Sequence, residues 1–264
     1  MTDATLSTVR NAARLLKAFL PREEELGVSE LSRRLGLGKS SVHRLLSTLV
    51  GEGLVARDPD SGQYRLGIVM FELGEAVRAR MELSSAIGPA LAALRDRTGE
   101  ATQVGILDAD DVVYLERLDG VQTPRLFGDQ DRRVPMYCTA TGKVLLAFRP
   151  EPELLDYLAE VPLRRLTRHT ITDHARLRGE LRTVRRRGWA ESVNEREIGV
   201  AGLAAPVRDA TGTVVAAIGV SAPLSRFRGL SRRQLAQAVA EAGAVVSRRL
   251  GWPGGELSNK GERN

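Results

Sequence analysis

The stretch from Val28 to Leu66 restricts the fold more than any other part of the chain, because helix, tight turn, helix and hairpin signals follow one another there without a gap. Val42, Leu45, Leu46 and Leu49 recur at i, i+3, i+4 and i+7, the stripe of a helix with one buried face. At about 100° per residue, the opposite face carries Ser40, Arg44 and Ser47, with His43 and Thr48 at its margins. Gly36, Leu37, Gly38 and Lys39 make a tight connection back to a short helix marked by Leu31 and Leu35, for which Ser29 is a suitable N-cap. Before it, Val9, Ala12, Ala13, Leu16, Phe19 and Leu20 predict a first helix that Pro21 stops. Gly51 and Gly53 end the third helix, and Leu54 to Arg57 and Tyr64 to Leu66 flank the turn Asp58, Pro59, Asp60, Ser61, Gly62. Three helices followed by a hairpin make a winged helix-turn-helix.

The third helix faces outward with residues suited to base edges. An α-helix fits the major groove, where Ser40, Ser41, His43, Arg44 and Thr48 offer the short or forked hydrogen-bonding groups that reading requires. Lys39 at the helix entry is placed for a phosphate, and Arg57 and Arg65 on the hairpin for neighbouring backbone or minor groove. Winged helices that bind only protein are the other use of this layout.

Residues 67–83 continue as a helix with Val69, Met70, Leu73, Val77 and Met81 on its apolar stripe, a junction helix that must bury that face against another domain or a second copy. Residues 84–251 mix the two periodicities. A helix after Pro89 (Ala90 to Arg97) precedes a hairpin, Ala101 to Leu107 and Val112 to Leu118, around the acidic turn Asp108 to Asp111. Helices follow at Thr141 to Phe148, Glu153 to Leu158 and Asp173 to Arg187. Strands come next near Trp189 to Val193, Gly202 to Val207 and Val214 to Ser221, and Leu230 to Leu250 closes the pattern. Strands paired by hairpins predict an α+β domain with an antiparallel sheet. The Gly- and charge-rich residues 252–264 are expected to be a disordered tail.

Composition removes several function classes. Aromatic residues are only 4% of the chain, too few for a base-stacking single-strand surface. No apolar run reaches bilayer length and the N-terminus has no signal-peptide order, so no membrane partner and a cytoplasmic location are expected. The single cysteine, Cys138, allows neither an internal disulfide nor a thiolate zinc cage. His169 and His174 stand at i, i+5, which does not stack them on one helical face, so no metal and no cofactor are expected. The formal charge of +6 suits a polyanion partner, yet the densest basic block, nine arginines within 164–187, reads as the solvated face of a helix buried through Leu177, Leu181 and Val184. Two rival functions remain open: an architectural winged-helix protein without ligand control, and an enzyme using Cys138 as nucleophile with His169 or His174 as base.

The segment Val28 to Leu49 (VSELSRRLGLGKSSVHRLLSTL) resembles the helix-turn-helix of the IclR family of transcriptional regulators. Cys138 to Ala147 (CTATGKVLLA) is similar to the family's effector-loop signature. Gly188, Trp189 and Ala190 through Glu195, with Gly199, Val200 and Ala204 to Asp209 (AAPVRD), are similar to its C-terminal signature, so the likeness spans roughly residues 5 to 250. The resemblance implies a winged-helix domain over residues 1–66, a dimerising linker helix over 67–83 and a GAF-like effector domain over 84–251. It implies a homodimer, or a dimer of dimers, on a near-palindromic double-stranded operator whose affinity a small molecule controls. Carried over position by position, it places Leu126 and Met136 on the apolar walls of the effector pocket. Ala140, Thr141 and Gly142 would then form a helix N-terminus facing a carboxylate, with Ser192, Gly202, Gly219 and Ser221 on the far wall. Family members that bind small keto acids carry Asp, Cys and Ser where this chain has Ser192, Gly202 and Gly219. The resemblance therefore implies a roomier pocket and a carboxylate with an apolar or aromatic body.

Overall fold

The computed structural model describes residues 6–20, 25–80, 83–121 and 132–254. The chain divides into two compact units, Met1–Met81 and Glu82–Asn264.

The first unit contains α1 (Ser7–Lys17), α2 (Val28–Leu35), α3 (Lys39–Gly51), β1 (Val55–Arg57), β2 (Tyr64–Leu66) and α4 (Ile68–Arg80). The strands form an antiparallel hairpin, and Leu26 adds a single bridge to Tyr64 on its far side. One apolar core gathers Leu15 and Phe19, Leu31 and Leu35, Val42, Leu46 and Leu49, closed by Val55 and Tyr64. Two local expectations shift. α1 ends at Lys17 and Phe19 enters the core from the turn beyond it, whereas Val9 and Leu20 are exposed. The N-cap of α2 is Gly27, whose carbonyl accepts from Leu31 N, and Ser29 lies inside the helix. Arg14 ties the first two helices together by donating to the Leu35 carbonyl at 2.9 Å, satisfying one of the orphan acceptors at a helix C-terminus.

The second unit is built on a six-stranded antiparallel sheet in the order β5-β4-β3-β8-β7-β6, comprising β3 (Ala101–Asp108), β4 (Asp111–Leu118), β5 (Arg133–Pro135), β6 (Ala190–Val193), β7 (Val200–Arg208) and β8 (Val214–Pro223). α5 (Leu83–Thr98) and α10 (Arg232–Arg249) pack against each other and against β3, β7 and β8. Thr102 turns to that side and donates to the Leu91 carbonyl of α5. α6 (Ala140–Ala147) lies against β3, β4, β6, β7 and β8 and is backed by α8 (His174–Arg187). α7 (Glu151–Glu160) adds Leu154, Tyr157 and Leu158 to the core around α6, and the short α9 (Leu224–Phe227) follows β8 directly.

α5 corrects the expectation of a helix beginning after Pro89. It starts at Leu83 and carries Pro89 inside it, with the ring exposed. Proline there removes one intrahelical bond, and on a solvent-facing side water can serve the carbonyl left over. β5, the 3-10 turn Met136–Cys138 and α9 had no sequence signal strong enough to predict them. The segment containing Leu126 and most of the predicted tail, 255–264, fall outside the described residues, as do residues 81 and 82 at the end of the expected linker. Among the described residues no helix is long and apolar enough to cross a membrane.

Candidate nucleic-acid interface and ligand pocket

α3 sorts its residues by face. Val42, Leu46 and Leu49 are buried and Leu45 is half-buried, while Lys39, Ser40, Ser41, His43, Arg44, Ser47 and Thr48 are exposed. The helix opens at Gly38, which makes no side-chain cap, so the amides of its first turn lack an intrahelical partner. Thr48 donates its hydroxyl to the Arg44 carbonyl at 3.1 Å, leaving its methyl and the acceptor side of its oxygen for an external partner. Arg57 and Arg65 are exposed on the hairpin, Arg57 lying 5.9 Å from the Tyr64 ring centroid. All eight residues singled out for DNA contact are thus on the surface of the first unit.

The arginine block of the second unit has a different destination. Leu177, Leu181 and Val184 bury one side of α8. Arg185 donates to the carbonyls of Ala147 (2.6 Å) and Arg149 (3.0 Å), Arg187 to that of Trp189 (2.6 Å), and Arg178 pairs with Glu151 at 2.5 Å. Arg178 and Arg185 thus tie α8 to α7 and to the end of α6, while Arg176, Arg182 and Arg186 are exposed, as expected for a solvated face.

A cleft opens in the second unit, enclosing about 510 Å³ when the open space at its mouth is included. Gln103 of β3 and Tyr114 of β4 line one side, and residues 138 to 141 bring the 3-10 turn and the start of α6. Ser192, Gly202 and Ser221 complete it from β6, β7 and β8, with Arg196 and Glu197 from the loop after β6. Of the residues carried over from the family, Ala140, Thr141, Ser192, Gly202 and Ser221 therefore line this cleft. Met136 is fully buried outside its lining, as Gly142 and Gly219 are outside it.

Thr139 caps α6 by accepting from the Gly142 amide at 3.0 Å. That amide is consequently spent, and an anion at this helix end would meet those of Ala140 and Thr141, the first two of the helix. Gly142 is needed for a different reason: a Cβ there would lie 2.2 Å from the Met136 carbonyl oxygen, so only glycine lets α6 rest on the turn before it.

The glycines on the far wall do not open space. A Cβ at Gly202 would meet the Val220 carbonyl oxygen at 2.7 Å, and one at Gly219 the Leu203 carbonyl oxygen at 2.5 Å. The volume expected from losing larger side chains at these two positions is already taken by neighbouring backbone.

Polar groups in the cleft are unevenly satisfied. Ser192 donates to the Cys138 carbonyl at 3.0 Å, and Gln103 Nε2 donates to Ser221 Oγ at 2.8 Å. Thr141 Oγ1 and Gln103 Oε1 are buried and have no hydrogen-bond partner among the described residues. Groups of this kind are rare in folded proteins and costly unless something outside the chain engages them. Burial raises the Tyr114 hydroxyl above its ordinary value and keeps it neutral, while the Thr141 hydroxyl beside it pulls the other way. The guanidinium of Arg196 adds positive potential felt by both Tyr114 and Cys138.

Sequence reasoning passed over Gln103, Tyr114, Arg196 and Lys143. Lys143 is fully buried in α6 and pairs with Glu195 at 2.7 Å, with Glu180 of α8 at 3.8 Å. A lysine inside the apolar run Thr141 to Ala147 was the available signal.

Cys138 is buried, donates weakly toward the Pro135 carbonyl, and burial pushes its pKa up to about 12. A nucleophilic cysteine needs the opposite shift. His169 and His174 are exposed, and the ring nitrogen of His169 accepts from Arg168. Iodoacetamide at pH 7.5 is expected to alkylate Cys138 at least about 100-fold more slowly than free cysteine. Rapid labelling of the folded protein would contradict this placement.

Two family descriptions match the chain: "IclR helix-turn-helix domain" over residues 8–59 and "Bacterial transcriptional regulator IclR C-terminal" over residues 75–248. The HTH-type transcriptional regulator KdgR of Escherichia coli (strain K12) is 34% identical over 248 residues, covering 94% of this chain and 94% of that protein. XynR of the same organism is 33% identical, covering 94% and 98%. Among solved structures, an IclR homolog from Microbacterium hydrocarbonoxydans complexed with 4-hydroxybenzoate aligns with a TM-score of 0.83 at 28% identity, over 92% of this chain and 99% of that one.

Proposed function

The chain belongs to the IclR family of bacterial transcriptional regulators, and from that premise we propose how its two units divide the work. Residues 1–66 bind operator DNA, reading base edges with Ser40, Ser41, His43, Arg44 and Thr48 and gripping the backbone with Lys39, Arg57 and Arg65. Residues 67–83 form a linker helix that dimerises, and residues 84–251 a GAF-like effector domain. Residues 252–264 are a tail. The protein acts in the cytoplasm as a homodimer, or a dimer of dimers, so its operator is near-palindromic. The exposed apolar side chains Ile68, Phe71 and Leu73 of α4 support a helix that meets a second copy.

The effector is a small carboxylate with an apolar or aromatic body, and the observation that carries this is Thr141. Its buried hydroxyl, which makes no hydrogen bond of normal geometry although the Tyr114 hydroxyl lies beside it, stands at the second residue of α6, where backbone amides and helix dipole favour an anion, in a cleft that also holds Arg196. Tyr114, Ala140, Val200 and Ala201 supply apolar surface for the rest of the molecule. The ligand of the Microbacterium homolog, an aromatic carboxylate, is of the same chemical kind. Binding biases the second unit between states that differ in operator affinity.

Thr141→Val keeps the side-chain shape and removes the hydroxyl. We expect the variant to bind operator as the wild type does without effector, and to need about 10-fold or more effector for the same response, measured by fluorescence anisotropy of labelled operator. An unchanged effector response would remove Thr141 from the site.

A further inference from the structure

We propose that Gln103 selects for an effector bearing a hydroxyl in addition to its carboxylate, so that this pocket prefers a hydroxylated carboxylate to the corresponding plain acid. The inference rests on the carboxylate reading of the cleft and deepens it.

Gln103 is 3% exposed and lies within the sheet, yet its amide lines the cleft. One end is fixed, since Nε2 donates to Ser221 Oγ, and the other end, Oε1, has no partner among the described residues. Its cross-strand neighbour on β8 is Gly219, so no side chain from that position covers the amide. Two further features leave the arrangement little room to relax. Ser221 lies directly opposite Gly202, where a Cβ would come within 3.1 Å of its hydroxyl oxygen, and Gly105, two residues along β3, touches Thr141 closely enough that a Cβ would lie 3.0 Å from its methyl. Gln103 and the glycine that lies against Thr141 therefore stand two residues apart on one strand.

The two buried unpartnered groups, Thr141 Oγ1 and Gln103 Oε1, are thus separate demands within a single cleft. A carboxylate at the start of α6 answers the first. The second is an acceptor turned toward the cleft by the Nε2–Ser221 bond, so it needs a donor, which a carboxylate cannot supply. A hydroxyl can; a methyl or a bare ring edge leaves the amide end desolvated and unpaired. Sites built around a buried polar group reject analogues lacking its partner far more strongly than apolar sites reject an extra one.

The test titrates the full chain with matched acids: benzoate against its ring-hydroxylated counterparts, phenylacetate against hydroxyphenylacetates, and hexanoate against the terminally hydroxylated acid. Affinity is read by isothermal titration and by the shift in melting temperature. In at least one pair the hydroxylated member is expected to bind about 10-fold or more tightly than the plain acid. Gln103→Leu is expected to bring the two members of that pair within about 2-fold of each other, whatever its affinity for the plain acid. If no pair shows a preference, or the preference survives in Gln103→Leu, the assignment of Gln103 is overturned and the carboxylate reading stands. If no acid of any pair binds, the carboxylate reading itself fails. Should Gln103→Leu not fold, Gln103→Met takes its place, and the same two outcomes decide.

Discussion

Replacing Arg44 by alanine is expected to weaken operator binding by roughly 10- to 100-fold per half-site at fixed salt, the cost of losing a forked donor from a base edge. The expectation comes from the way α3 is held. Val42, Leu46 and Leu49 are locked into the core with Leu15, Leu31 and Tyr64, so the opposite face is fixed relative to the rest of the unit. Arg44 is exposed on that face among other hydrogen-bonding side chains. Truncating it touches no buried contact, and the melting temperature of the variant should stay within a degree or two of the wild type. Lys39→Ala is the useful contrast. A phosphate contact carries no sequence information, so that variant should lose affinity for specific and random duplexes alike and flatten the salt dependence by about one charge. If Arg44→Ala instead weakens both kinds of duplex equally, Arg44 is a backbone contact and α3 is seated differently.

Lys143→Met should produce the largest loss of stability, about 3–5 kcal/mol, because it strands a carboxylate in the interior. Lys143 and Glu195 are both buried and 2.7 Å apart, joining α6 to the loop that supplies Arg196 and Glu197 to the cleft. Glu195 Oε2 has no hydrogen-bond partner among the described residues, and besides Lys143 only the Val193 backbone favours the charged carboxyl, so removal of the lysine leaves little to offset desolvation. Burial already pushes the Glu195 carboxyl above its ordinary value near 4.5, with the charge of Lys143 pulling the other way. The sign follows from linkage. A carboxyl whose folded pKa is raised binds its proton more tightly in the native state, so its contribution is fullest below about 4.5 and is lost as pH rises through the elevated folded value. Deleting Lys143 raises that value further. The deficit of Lys143→Met, measured by urea unfolding, should therefore be smallest in mild acid and grow toward neutral pH. The double variant Lys143→Met with Glu195→Gln should recover much of it, and equal instability of single and double variants would show that the ion pair is not the cause.

The local parts of this architecture were legible because they depend on near neighbours in sequence. The stripe of α3, the wing around Asp58 to Gly62 and the buried marks of α8 each follow from spacing within one element. What could not be read was where distant partners would meet. Gln103 and Ser221 are 118 residues apart, and Lys143 and Glu195 are 52 apart. No periodicity encodes such pairs. The glycines at 202 and 219 misled for a related reason: a missing side chain reads as open volume until the neighbouring carbonyls are in place. The solvated face expected of the arginine block holds for Arg176, Arg182 and Arg186, whereas the backbone carbonyls that Arg185 and Arg187 reach could not be read from spacing. Pro89 failed as a helix breaker because an exposed position tolerates the missing bond.

The most direct test of the account is to select duplexes from a random library with the purified full chain and to footprint the enriched sequence with dimethyl sulfate, which reports guanine N7 in the major groove. The expected result is a two-fold related pair of protected guanines, with centres about one helical turn or a multiple of it apart, whose protection disappears in Arg44→Ala while the rest of the footprint persists. Enrichment of no sequence at all, or a footprint confined to the minor groove and unchanged in Arg44→Ala, would contradict the placement of α3 on which the functional reading depends.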